Sequence, residues 1–196
     1  KTHDQIVTAS RDGTVRVWTP GKKGTTLMPG RMIGEHGDKV YVARFSPDGR
    51  YVATASRDGT SHLWSKSRGV RSMHGHTRPV VDVRFSRDSK QVVTVAEDGT
   101  ARVWDVAGKN SEIVLRSPHA IERVKFIHRD FGGVITIDEN NARVWETPGL
   151  VDDPKVYTGH EKRVIAAAMD PSPEHRVVCT GSVDGTAKIW SGDPPR

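Results

Sequence analysis

A single cysteine, Cys179, stands in the 196 residues, which leaves no partner for a disulfide and no pair for a zinc site. A lone thiol agrees with a reducing compartment, and a cytoplasmic location is the expectation. Five residues before Asp184, Cys179 falls where other copies of the motif described below carry Val7, Ala53, Val93 and Val134, so it reads as a small core residue. No apolar run approaches the ~20 residues that cross a bilayer, and no secretory leader pattern is present. Both observations point away from a membrane. The first residue is Lys1 rather than Met, and Lys1 is expected not to be a biological start. Aromatics make up 6% and hydrophobic residues 35%, with a mean hydropathy of −0.56. That is little for a compact α/β core, but it suits many short strands whose small residues pack sheet on sheet. No segment keeps a helical period over about ten residues, so the chain reads as all-β.

What is present is repetition. The stretch from Thr54 through Ser56, Arg57, Asp58, Gly59 and His62 to Trp64 is a strand, a tight turn and a strand, because an Asp-Gly pair tolerates the positive φ that closes a hairpin. Near-copies run from Val7 to Trp18, Val93 to Trp104, Ile135 to Trp145 and Cys179 to Trp190. All five tryptophans are used, at separations of 46, 40, 41 and 45 residues, and such a period marks a repeat architecture. In two units a Gly/His turn comes first, and the interval from His36 to Phe45 equals that from His76 to Phe85. Strands are expected at 5–9, 14–18, Val40 to Phe45, Val80 to Phe85 and Val164 to Met169. Between Trp18 and the second unit only Arg31, Met32 and Ile33 look extended. The fourth unit is degraded. Measured from His119, its interval to Phe126 shrinks to seven residues, Glu139 and Asn140 replace Asp and Gly, and Ile135 replaces the strand Thr.

A Gly-His turn, an Asp-Gly hairpin six residues before a Trp and a period near 40 together resemble the WD40 repeat family of β-propellers, in particular its bacterial arrays. The dipeptide that names the family survives only at Trp104-Asp105. The resemblance implies a propeller of about three complete and two partial four-stranded blades: a partial blade at 1–34, blades at 35–74 and 75–116, a degenerate blade at 117–158 and a partial blade at 159–196. About 18 strands are supplied where a seven-bladed ring needs about 28. The first unit lacks an innermost strand and the last an outermost one, so an open arc of a larger propeller is expected, completed by the remainder of a longer chain or by other subunits. The resemblance also implies blade-pinning networks of His36, Thr54 or Ser56, Asp58 and Trp64; of His76, Thr94, Asp98 and Trp104; and of His160, Thr180 or Ser182, Asp184 and Trp190.

Serine, histidine and aspartate are also the members of a hydrolase triad. A nucleophile, however, is placed once, by a special turn, whereas this set recurs three times without a Gly-x-Ser-x-Gly elbow. The expectation is therefore no enzyme and no catalytic residue. His74-x-His76 is a weak metal pair and no phosphate-binding loop exists, so no metal or cofactor is expected. In the family's arrangement the Gly-His turns and hairpin turns share one rim. Arg11, Arg57, Glu97, Asp138 and Val183 fall there, with Lys39, Arg78 and Lys162, and the rim of the first three units is basic. The leading reading is a scaffold that recognises an acidic segment of a protein or peptide partner through Arg11, Lys39, Arg57, Arg78 and Lys162. A sensor or regulatory segment of a larger bacterial signalling or defence protein, carrying a nucleotide-switch ATPase or kinase, is the alternative. Nucleic-acid binding ranks third. The net charge of +6 and pI near 9.6 allow it, but the basic residues are scattered.

Overall fold

The computed structural model describes residues 5–21, 30–108, 112–127, 133–146, 154–170 and 177–191. Short runs of β-branched and small residues punctuated by Asp-Gly, Asp-Ser and Asn turns yield eighteen strands among them. β1 (Ile6–Ala9), β2 (Thr14–Trp18) and β3 (Arg31–Glu35) form the first antiparallel sheet. β4 (Val40–Phe45), β5 (Tyr51–Ser56), β6 (Ser61–Ser65) and β7 (Gly69–Met73) form the second. The third holds β8 (Val80–Phe85), β9 (Gln91–Ala96), β10 (Thr100–Asp105) and β11 (Ile113–Arg116). The fourth holds β12 (Arg123–Phe126), β13 (Gly133–Asp138), β14 (Asn141–Glu146) and β15 (Lys155–Tyr157). β16 (Val164–Met169), β17 (Val177–Ser182) and β18 (Ala187–Ser191) complete the last. Each sheet is a meander in chain order, and no helix among the described residues is long and apolar enough to cross a membrane.

The sheets stack face to face in chain order, with the first strands of neighbouring sheets, β4 on β8 and β8 on β12, packed together on the inner side. Strand alternation gives each sheet two faces with different tasks. One face, such as Ala53 and Leu63, meets Val80, Val83 and Val92 of the following sheet. The other carries the tryptophan: Trp145 lies against Val93, Val103 and Leu115 of the preceding sheet and is only 1% exposed. Val15 and Ile33 pack on Val40 and Val52 beside Trp64, and Ile135 and Val144 on Val178 beside Trp190, in the same way.

The stack is an open arc. Ile189 occupies the place held by the buried Leu63, Val103 and Val144, each directly before its tryptophan, yet it is 74% exposed. Cys179, opposite Ile189 across the hairpin, is exposed as well. The sequence expectation that it is a core residue is thus corrected: its position is a core position only where another sheet follows.

Candidate functional site

In each blade whose turn supplies a histidine, the polar set forms a directed chain of hydrogen bonds. In the third, the indole Nε1 of Trp104 donates to Thr94 Oγ1 at 2.9 Å, Thr94 donates to His76 Nε2 at 2.8 Å, and His76 Nδ1 donates to Asp98 Oδ2 at 3.1 Å. The indole can only donate and the carboxylate only accept, so the chain runs from one to the other through a hydroxyl and a neutral imidazole protonated on Nδ1. The fifth blade repeats it: Trp190 to Thr180 at 2.9 Å, Thr180 to His160 at 2.8 Å, His160 to Asp184 at 2.9 Å. In the second, Thr54 meets His36 Nε2 at 2.7 Å and His36 Nδ1 meets Asp58 at 3.2 Å.

The structure decides between the two candidate hydroxyls. Thr54 and Thr180 join the chain, whereas Ser56 donates to the carbonyls of Asp38 and Lys39, and Ser182 to those of Lys162 and Arg163. These serines clamp the hairpin to the turn before the first strand of the sheet. A further hydroxyl was missed. Thr60 gives both its N–H, at 2.8 Å, and its O–H, at 2.7 Å, to Asp58 Oδ1 and stands 3.1 Å from His36 Nδ1; Thr100 and Thr186 do likewise. The signal was available, since Asp-Gly-Thr recurs at Asp12, Asp58, Asp98 and Asp184. Burial raises the Asp58 carboxyl, but the Thr60 and Gly37 donors outweigh it and lower its pKa to about 2. Desolvation depresses His36 and His76, with their aspartates opposing.

Two expectations are corrected. First, Trp64 does not join its blade's chain among the described residues. Thr54 Oγ1 instead accepts the backbone N–H of His62 at 3.0 Å, the cross-strand register lapses beyond Ala53 and Leu63, and the His62 ring stacks on His36 with centroids 3.9 Å apart. Second, the fourth blade, degraded in sequence, still holds its tryptophan and its aspartate, through two separate sets of bonds made by other residues, with Asp138 Oδ1 left without a partner among the described residues. Its hairpin is one residue shorter, with Asp138 paired directly to Asn141 across a two-residue turn in which Glu139 adopts φ 47°. The hub is therefore Thr136, not position 135: Trp145 Nε1 donates to it at 3.0 Å. Ser117 takes the histidine's place, donating to Asp138 Oδ2 at 2.5 Å, and Arg143 Nε donates to the same oxygen at 2.9 Å. Counted from Ser117 rather than His119, the interval to Phe126 is the same nine residues as in the other blades. Asp138, expected on the rim, is wholly buried.

A hydroxyl, an imidazole and a carboxylate in series have the connectivity of a hydrolase triad. Here the hydroxyls of Thr54, Thr94 and Thr180 are buried, and in the third and fifth blades the threonine lone pair already receives an indole proton. The sets hold blades together and present no nucleophile to a substrate.

What stays open is the edge where turns and hairpins meet. Val40 N donates to Ser10 O, placing Lys39 beside Arg11, and Arg57 N donates to Lys39 O. Gly59, at φ +83°, lies close to Arg78 O. Arg11, Lys39, Arg57 and Arg78 thus follow one another along one strip, while Lys162 sits in the corresponding turn of the last blade. Arg11, Arg57, Arg78 and Lys162 are exposed and Lys39 half-buried; Arg57 reaches Asp38 only loosely, at 3.8 Å.

Comparison with known proteins agrees with this geometry. No curated protein matches the chain. The family model described as WD domain, G-beta repeat matches residues 1–19, 28–65, 67–105 and 153–191. The stretch left between the last two matches holds β12, β13 and β14 of the fourth sheet, whose hairpin is short and whose turn histidine is a serine. Four matched repeats covering most of its length make the chain a member of the WD40 repeat family.

Proposed function

We propose that the chain is a non-enzymatic recognition module whose basic rim takes an acidic segment of a protein partner. WD40 repeats generally mediate protein–protein interaction, and the single observation that carries the finer reading is the unbroken strip from Arg11 through Lys39 and Arg57 to Arg78. Hydrogen bonds tie the backbone together from Ser10 to Arg57 while the side chains of Arg11, Arg57 and Arg78 are exposed, so they can pair with carboxylates at little ordering cost. The test is capture of partners from a lysate by wild-type protein and by the Arg57→Glu, Arg78→Glu double variant. The reading expects the reversed charges to abolish capture of acidic partners; undiminished capture would reject it.

A further inference from the structure

The inner strands carry a second basic feature. Arg44 stands opposite Ala53, Arg84 opposite Val93 and Lys125 opposite Ile135, so one register position bears a cation in three successive blades. Arg123, two residues before Lys125 and on the same face of β12, adds another, and Arg163 adds a fifth. Among the described residues two carboxylates stand with them. Asp82, with its side chain 6% exposed, lies 3.7 Å from Arg44 Nη2 and 3.3 Å from Arg84 Nε, and Glu122 lies 3.4 Å from Arg163 Nη1. Arg123 and Lys125 are exposed and have no ion-pair partner among the described residues. The buried Nε of Arg44 has no acceptor among the described residues. Burial, and after it the charge of Arg84, hold the Arg44 guanidinium below its usual pKa.

Folding does not call for this arrangement. Like charges on neighbouring strands repel, and in the fifth blade the same position is filled by Ala168, opposite Cys179. The cations surround open space. Arg84 and Arg123 line a groove of about 410 Å³ together with Tyr41, Arg44 and Arg163. They also line an adjoining groove of about 300 Å³ whose other wall includes Ile137 and Ile165. A basic wall beside an apolar one suits side chains that alternate in character, as they do every second residue along an extended chain.

We propose that this concave groove, which excludes Arg11, Lys39, Arg57 and Arg78 and meets the turns of the rim through Arg163, binds an extended peptide in which carboxylates alternate with apolar side chains. A nucleic-acid strand fits less well, because the adjoining groove offers isoleucine where bases need aromatic faces.

Fluorescence anisotropy with a short labelled peptide of alternating Glu and Leu tests the proposal at low salt. Arg84→Gln with Lys125→Gln is expected to weaken binding about tenfold, while the rim variant Arg57→Glu, Arg78→Glu stays within about twofold of wild type. If the groove variant proves misfolded by circular dichroism, Arg123→Gln, at an exposed residue that lines both grooves, is expected to weaken binding about threefold. The proposal is overturned if the probe does not bind, if neither groove variant changes its affinity, if a Gln-Leu peptide binds equally well, or if a single-stranded oligonucleotide binds more tightly.

Discussion

Thr94 Oγ1 receives the indole proton of Trp104 at 2.9 Å, whereas the corresponding Thr54 receives a backbone proton from His62 at 3.0 Å. Two blades of nearly the same sequence therefore spend the same hydroxyl differently. The indole of Trp104 is a hydrogen-bonded member of its blade, and that of Trp64 contributes by packing. Trp104→Phe should cost about 1 kcal/mol more than Trp64→Phe, the net worth of one hydrogen bond. Urea unfolding of the two variants measures the difference; equal losses would mean that the indole bond carries no weight.

In the fourth blade, Asp138 is buried with Arg143 as its charged partner. Removing one member of such a pair leaves the other charge uncompensated, so Asp138→Ala should destabilise by about 3 kcal/mol. Adding Arg143→Met should recover much of that loss, since an apolar side chain needs no partner. If the double variant is as unstable as Asp138→Ala, shape rather than charge governs the site.

Acid should weaken the fold in two steps. Burial, helped by the repulsion His36 would exert if both rings were protonated, lowers His62 from 6.5 to about 4 against the pull of Asp58, and burial also lowers His36 and His76. Unfolded histidines take up protons near 6.5 that the folded ones refuse, so this stability is complete above that pH and is lost as pH falls toward about 4. His62 is half-buried, and after solvent screening its share is on the order of 1 kcal/mol. The second step lies lower: Asp58, at about 2 in the folded protein, stabilises above its unfolded value near 3.8 and ceases to as pH falls through about 2. Thermal midpoints should therefore drop by a few degrees between about pH 7.5 and pH 5. His62→Asn should reduce that drop, and an unchanged drop would assign it elsewhere.

The fold was legible because the repeat is written in residues with local roles. Asp-Gly turns, strand-ending tryptophans and the Gly-His turns locate strands such as Val40–Phe45, Val80–Phe85 and Val164–Met169 as the structure has them. Spacing failed where a hairpin changed length. Counting back from Trp145 leads to Ile135, but a two-residue turn shifts the hub to Thr136 and draws Asp138 inward. It failed again at Cys179, because burial of a blade face depends on a neighbouring sheet and not on the strand itself. The rim strip was readable from the turns alone. The cations of the groove were not, since Arg44, Arg84 and Lys125 lie in different blades and only cross-strand register brings them level.

The claim beneath all of this is that the recurring His-Asp-Thr-Trp chain is a device of stability. Thr94→Val tests it most directly, because it keeps the shape of the side chain while removing the donor to His76 and the acceptor for Trp104. Denaturant unfolding should show a loss of about 3 kcal/mol with an unchanged slope, the cost of two buried groups left without partners. A Thr94→Val protein with the wild-type midpoint would contradict the account.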